Sequence, residues 1–232
     1  GDVQILIDAG PGANVSAKLG QYLPFYDKDI ELAVLTHPHA DHLRGFISIF
    51  KNYRVKNFMF SGANYDSRVY ADFMAALEAE GSNIYLARAG DLVRFVRYSM
   101  SDKNVQHPML HILAPAENHL GVNFKSIHDS MVVGQLELAD KKFLLMGDAE
   151  EDLENQLITS NAIGDVDVLK GGHHGSKTST SAKLLQAARP EEAIIQVGNN
   201  SYGHPYPAVL DRLGKFGVKV FRNDQLGDVI YR

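Results

Sequence analysis

Four side chains able to bind a metal ion fall within six residues in Thr36-His37-Pro38-His39-Ala40-Asp41-His42. Imidazole nitrogens and a carboxylate at this density suit zinc, manganese or iron, and a chain without cysteine has no thiolate to offer. A merely solvated polar loop is the plain alternative, but H-x-H-x-D-H is a specific string rather than a scatter of histidines. Pro38 lacks a backbone donor and holds φ near about −65°, so its neighbours are presented from an extended segment.

Elements on either side must place these ligands. The run Ile30-Glu31-Leu32-Ala33-Val34-Leu35 ends abruptly at polar residues, which suits a buried strand delivering the loop to one edge of a sheet. Beyond the loop, apolar residues at 43, 46, 47 and 50 repeat at the spacing of one helical face, predicting a helix over 43–50 with Asp41 and His42 at its N-terminus.

Three further stretches carry chemistry. Residues 4–8 read as a strand running through Asp8 into Gly10-Pro11-Gly12, where Asp8 can cap the turn. Two strand-like runs, 126–133 and 142–147, are joined by a turn near Asp140, and Asp148 ends the second where the acidic Glu150-Glu151-Asp152 opens a helix. Asp148 is thus either a ligand at a strand tip or that helix's cap. Asp167-Val168-Leu169-Lys170-Gly171-Gly172-His173-His174-Gly175-Ser176 is again a strand opening into a glycine-flanked loop, and glycine lets backbone approach a metal or phosphate closely. One of its histidines is a ligand candidate, with His174 favoured, and the other faces substrate or lies behind the ligand. Ser176, Lys177, Thr178, Ser179 and Thr180 precede a helix over 182–188, whose first amides can hold a phosphate or simply be capped.

The remaining pattern is that of an ordinary globular chain. Its 232 residues suffice for one sizeable domain, with 45% hydrophobic and 22% charged residues. A net charge of −5 argues against a broad basic nucleic-acid surface but not against a narrow groove. No apolar run reaches the roughly 18 residues that cross a bilayer, and no signal-peptide pattern opens the chain, which leaves soluble cytoplasmic and exported settings open. Strands are expected at 55–60, 84–86, 92–96, 110–113, 218–221 and 228–231, with helices over 65–80 and 207–216. His107, His111 and His119 lie in or beside the loop-rich part and have little claim on a site.

The H-x-H-x-D-H string resembles the signature of the metallo-β-lactamase superfamily. Together with Gly147-Asp148, Leu169-Lys170-Gly171-Gly172-His173-His174-Gly175-Ser176, Asn200-Ser201-Tyr202-Gly203-His204-Pro205 and Asp224-Gln225-Leu226-Gly227-Asp228, it is similar to the C-terminal hydrolase domain of the competence protein ComEC and its stand-alone relatives. The resemblance implies an α/β fold, the αββα sandwich, over 1–232 as a single domain lacking its first strand or hairpin. It also implies that Asp8 supports the metal loops, that His128 is the third histidine and that Asp148 bridges two metals. The ligand set is then His37, His39 and His128 for one ion and Asp41, His42 and His174 for the other. Three departures stand out: many membrane-bound ComEC proteins have an aspartate where this chain has His39, Arg44 replaces a frequent glycine, and no transmembrane part is present in this sequence.

The activity implied is that of a phosphodiesterase or nuclease acting on DNA or RNA. Two zinc or manganese ions about 3.5–4 Å apart would bridge a water, lower its pKa toward about 7 and clamp the phosphate oxygens. Asp41, His173 and His204 are the catalytic candidates, His204 either serving the phosphate or leaving group or bonding its own turn. Ser176, Lys177, Asn200 and Tyr202 are the substrate-binding candidates, and Lys170, Lys177 and His204 favour an anionic substrate. Hydrolysis of an amide or ester such as a β-lactam, and a non-catalytic metal-binding module, are the alternatives.

Overall fold

A computed structural model describes residues 3–95 and 107–231, which form two compact units, 1–88 with 115–132 and 89–114 with 133–232. The expected strand over 92–96 is found as Leu92–Arg94, and Val96 lies outside the described residues.

The first unit is a parallel sheet with its crossover helices. Its elements are β1 (Ile5–Ile7), α1 (Asn14–Tyr22), β2 (Asp29–Ile30), β3 (Leu32–Val34), α2 (Ala40–Leu43), α3 (Phe46–Asn52), β4 (Arg54–Val55), β5 (Asn57–Phe60), α4 (Arg68–Glu80) and β6 (Asn83–Leu86). Four strands order as β1-β3-β5-β6, all parallel, while β2 and β4 make a separate pair. A parallel sheet is covered on both faces, so its strands read as unbroken apolar runs; Leu32, Ala33 and Val34 are all buried. Phe46, Phe58 and Phe73 meet at the centre of this unit's core, with ring centroids 5.1, 5.6 and 6.1 Å apart.

Two departures from the expected elements position the site. The helix expected over 43–50 is instead α2 and α3, separated at Arg44 and Gly45. The break lets the backbone after β1 lie against it: Ala9 N–H donates to the His42 carbonyl at 2.8 Å, and Gly45 N–H donates to the Gly10 carbonyl at 3.0 Å. A Cβ on Gly45 would stand 1.9 Å from the Ala9 carbonyl oxygen, so only glycine permits the approach. The helix expected over 65–80 begins at Arg68 because the Ser67 hydroxyl accepts the Tyr70 N–H at 3.1 Å and caps it. Tyr65 is thereby left in the preceding loop. Helix α1, with no buried residue, was not foreseen.

The second unit contains β7 (Leu92–Arg94), β8 (Met109–Ala114), β9 (Val133–Leu138), β10 (Lys141–Leu145), α5 (Glu151–Thr159), β11 (Val168–Lys170), α6 (Ala182–Ala188), β12 (Glu192–Ile195), α7 (Pro207–Lys215), β13 (Lys219–Arg222) and α8 (Asn223–Leu226). Its seven strands order as β13-β12-β11-β10-β9-β8-β7, antiparallel from β7 to β10 and parallel from β10 to β13. Leu145 on β10 pairs with Lys170 on β11, and Lys170 with Ile194 on β12. Three parallel strands therefore end almost flush, and their following loops leave the sheet at one edge, the usual ligand-binding edge of such sheets.

The strand expected to begin near 126 starts only at Val133, because residues Ile127–Ser130 wind into a single 3₁₀ turn of the first unit. Residues 228–231 form no strand. Arg222 pairs with Asp224 and Asn223 Nδ2 donates to the Gly227 carbonyl at 2.6 Å, folding the chain into α8, while the Tyr231 hydroxyl donates to Glu192 at 2.7 Å.

Replacing Gly45 with alanine forces the Ala9 backbone away. Gly45→Ala is expected to lower unfolding stability by about 3 kcal/mol, the upper range for an overpacked site, as measured by urea denaturation. A loss below about 0.5 kcal/mol would show that the Ala9–Gly45 approach is dispensable.

Candidate metal centre

In the first unit the chain rises through β3 into Thr36 and the histidine loop. The Asp8 carboxylate organises it. Its Oδ1 accepts the Thr36 N–H at 2.8 Å, and its Oδ2 accepts both the Thr36 hydroxyl and the His42 Nδ1–H at 2.7 Å. Asp8 reaches this position with φ +58°, a left-handed conformation that aspartate tolerates better than most residues. Its expected capping of the glycine turn gives way to these three bonds.

The bonds decide where protons sit. A carboxylate only accepts, so the His42 proton is on Nδ1 and the neutral ring carries its lone pair on Nε2. The Thr36 hydroxyl gives its one proton to Asp8 and so accepts from His37 Nδ1, 3.2 Å away; His37 likewise presents Nε2 as a lone pair. That Nε2 lies 3.0 Å from His39 Nδ1. His128 joins them because the Val132 N–H donates to the Thr36 carbonyl at 2.8 Å, which draws the 3₁₀ turn to the loop. The ligand-capable atoms of His37, His39 and His128 all lie within 4.8 Å of one another. Asp41 is half-exposed in the first turn of α2, with Oδ2 3.7 Å from His42 Nε2.

In the second unit the loops after β10, β11 and β12 carry the other candidates. Asp148 is buried, and helix α5 begins beyond it with Glu150 at the cap position, so the alternative of Asp148 as helix cap fails. His173 and His174 both have left-handed backbones, φ +44° and +53°. The His173 N–H donates to the Gly147 carbonyl at 3.2 Å. His174 Nδ1 donates to the Gln196 carbonyl at 2.7 Å, which again leaves the lone pair of the neutral ring on Nε2. That nitrogen is 3.4 Å from Asp148 Oδ2. Two lone-pair atoms so close repel each other unless a cation or proton lies between them, so this donor set fits a metal ion.

His173 faces elsewhere. Glu150 Oε1 accepts its Nδ1–H at 3.1 Å and the Thr178 hydroxyl at 2.8 Å, and the His173 Nε2 stands 4.0 Å from Asp148. The His204 ring lies 5.6 Å from that of His173. Burial first, then the neighbouring His173 and His174, hold the His204 pKa below its ordinary value against the opposing pull of Asp148.

The other expected site residues divide. Lys177 extends over the Tyr206 ring at 5.8 Å and Tyr202 is largely exposed, so both remain open to a substrate. Asn200 is committed to its own turn, where Oδ1 accepts from the Tyr202 and His204 amides and Nδ2 donates to the Gly198 and His204 carbonyls. Asn200 holds that turn through these four bonds. Ser176 is buried and bonds Thr178 at 2.9 Å, and Lys170 donates to the Gly147 carbonyl at 2.9 Å; these two build the loops. At the start of α6 capping is what is found: the Ser181 hydroxyl accepts the Leu184 N–H at 3.2 Å, and just before the helix Glu154 accepts the Thr180 and Ser181 amides at 2.5 and 2.9 Å. Thr36, Glu150 and the Gln196 carbonyl were missed. Only Thr36, next to His37, carried a signal in the sequence.

Residues 1–122 match the family model of the Metallo-beta-lactamase superfamily. The chain belongs to that superfamily. It is a metal-dependent hydrolase by membership, in a fold that typically holds a dinuclear metal centre. Among superfamily relatives it is 30% identical to ComE operon protein 3 of Bacillus subtilis (strain 168) over 206 residues, 88% of this chain and 25% of that protein. It is 44% identical to Recombination protein 2 of Haemophilus influenzae over 87 residues, 37% of this chain and 11% of the other. The chain thus spans a quarter or less of these relatives. The diiron β-hydroxylase CmlA from Streptomyces venezuelae shares the fold, with TM-score 0.53 and 11% identity over 87% of this chain and 44% of its own. Among the described residues no helix is long and apolar enough to cross a membrane.

Asp8→Asn replaces one acceptor with an amide donor. If the amide nitrogen faces His42, the imidazole must turn its proton to Nε2. Nitrogen-15 NMR of the metal-free protein should record that change of tautomer, and zinc affinity should fall about 10- to 100-fold, the usual cost of losing such a partner. Unchanged affinity would remove Asp8 as the organiser of the loop.

Proposed function

We propose that the chain is a phosphodiesterase acting on nucleic acid, with one divalent ion held by His37, His39 and His128, a second by Asp41, His42 and His174, and Asp148 common to both. The observation that carries the reading is tautomeric. His37, His42 and His174 each have Nδ1 engaged by an oxygen, which leaves Nε2 as the donor atom. Zinc and manganese both accept imidazole and carboxylate donors. The kinship with proteins named for competence and recombination supports DNA or RNA as substrate.

When bound, two divalent ions supply an activated water and positive charge against the phosphate. The chain's own residues do the rest. Asp41 adds an anionic donor. His173, steadied by Glu150, directs Nε2 into the same loop cluster as Asp148. His204, its pKa lowered chiefly by burial, would hydrogen-bond a phosphate oxygen through its ring N–H or, as the imidazolium, pass a proton to the leaving oxygen. Lys177 offers a charge to the flanking phosphate.

Protein reconstituted with excess zinc or manganese and desalted should hold two ions per chain. Each form should be assayed on bis-p-nitrophenyl phosphate, linear and circular DNA, RNA and a chromogenic β-lactam. Hydrolysis of the diesters and nucleic acids is expected; turnover of the β-lactam alone would replace this reading with amide hydrolysis, and no turnover of any substrate would favour a binding module.

His204→Ala should keep both ions and lower phosphodiesterase turnover by roughly 10²-fold, the lower range for a positioned acid or base. Normal turnover with a reduced melting temperature would assign His204 to its turn instead.

A further inference from the structure

Beside the histidine loop stands a surface that the metal chemistry does not use. The Tyr65 ring lies edge-on to His39, with centroids 5.5 Å apart, and is only partly buried. It also meets the Tyr70 ring at 6.4 Å, and the Tyr70 hydroxyl donates to the Ala63 carbonyl at 2.8 Å. The neighbouring Asn64 is tied to a turn from the far end of the same unit. Its N–H donates to the Val122 carbonyl at 2.8 Å, and its Nδ2 donates to the Gly121 carbonyl at 3.0 Å.

That turn is fastened to the strand end as well. The His119 N–H donates to the Ser61 carbonyl at 2.7 Å and the Gly121 N–H to the Gly62 carbonyl at 3.1 Å. Gly62, with φ +87°, leaves room for the Leu120 backbone, which would lie 2.9 Å from any Cβ there. Yet the turn keeps its apolar side chains in water, with Leu120 68% and Val122 42% exposed. This turn, tethered by four hydrogen bonds, still exposes leucine and valine, and two of those bonds come from Asn64, the residue before Tyr65.

We propose that Tyr65, flanked by Leu120 and Val122, is the stacking wall for a nucleobase adjoining the scissile phosphate. This rests on the phosphodiesterase reading for the position of the phosphate. An aromatic face accepts any base, and a fixed ring loses little freedom when one stacks on it. The partly buried Tyr65 ring, 5.5 Å centroid to centroid from His39, would offer its exposed side to the base, and the aliphatic turn bonded to Asn64 would cover the base's edge.

Binding tests the wall apart from catalysis. Fluorescein-labelled phosphorothioate oligothymidylate, and the same backbone without bases, are titrated against manganese-loaded protein by fluorescence anisotropy. Wild type should bind the base-bearing strand roughly 10-fold more tightly than the abasic one, within the usual range for one stacked base. Tyr65→Ala should abolish that preference and leave abasic binding unchanged; Tyr65→Phe should retain it. Equal wild-type binding of the two strands, or equal losses for both in Tyr65→Ala, overturns the proposal, and the wild-type comparison stands even if the alanine variant fails to fold. Retained preference without cleavage of any diester by wild type would defeat the hydrolase reading while leaving the wall in place.

Discussion

The three hydrogen bonds accepted by the Asp8 carboxylate are the constraint on which the first unit's chemistry depends. One side chain fixes a backbone amide, a hydroxyl and an imidazole, and through the hydroxyl it fixes a second imidazole. A histidine offers a metal its lone pair from only one nitrogen, so choosing the tautomer is as necessary as choosing the residue. Asp8 can do this only because the backbone beyond β1 lies against the gap between α2 and α3. Gly45 permits that approach. The H-x-H-x-D-H string therefore depends on a glycine and an aspartate outside it.

The second unit reaches the same chemical end by another route. Its donors sit on loops leaving three strands that end together, and a backbone carbonyl, that of Gln196, does for His174 what a carboxylate does for His42. Carboxylates there are used for structure too. Glu154 is buried between α5 and the start of α6, where burial raises its pKa and the Thr180 and Ser181 amides oppose the rise. With these amides bound by Glu154 just before α6, and Ser176 bonded to Thr178, the loop is held as part of the scaffold.

What the sequence disclosed follows from how local each signal was. The histidine string, the strand before it and the flanking glycines of His173 and His174 are contiguous, so residue type and order sufficed to single them out. The central parallel strands β3 and β5 were legible because burial makes them almost uniformly apolar. The split between α2 and α3 was not, since the 43, 46, 47, 50 pattern continues across it and the cause lies at Ala9, far away in sequence. Asn200, Ser176 and Lys170 read as substrate residues because they are polar and near the motifs. Their partners in the structure are backbone groups, and a sequence does not display those. The 3₁₀ turn carrying His128 was read as strand because Met131, Val132 and Val133 dominate the pattern.

The paired left-handed residues His173 and His174 have one further consequence. Each such conformation costs a non-glycine residue on the order of 1 kcal/mol, and here two occur in succession. Side-chain branching at Cβ would raise the cost further, so valine, isoleucine and threonine are shut out of both positions whatever their chemistry. The backbone thus acts as a filter on mutational drift. Short of refolding the loop, glycine, asparagine and aspartate are the easiest replacements to accommodate, and none of them restores an imidazole.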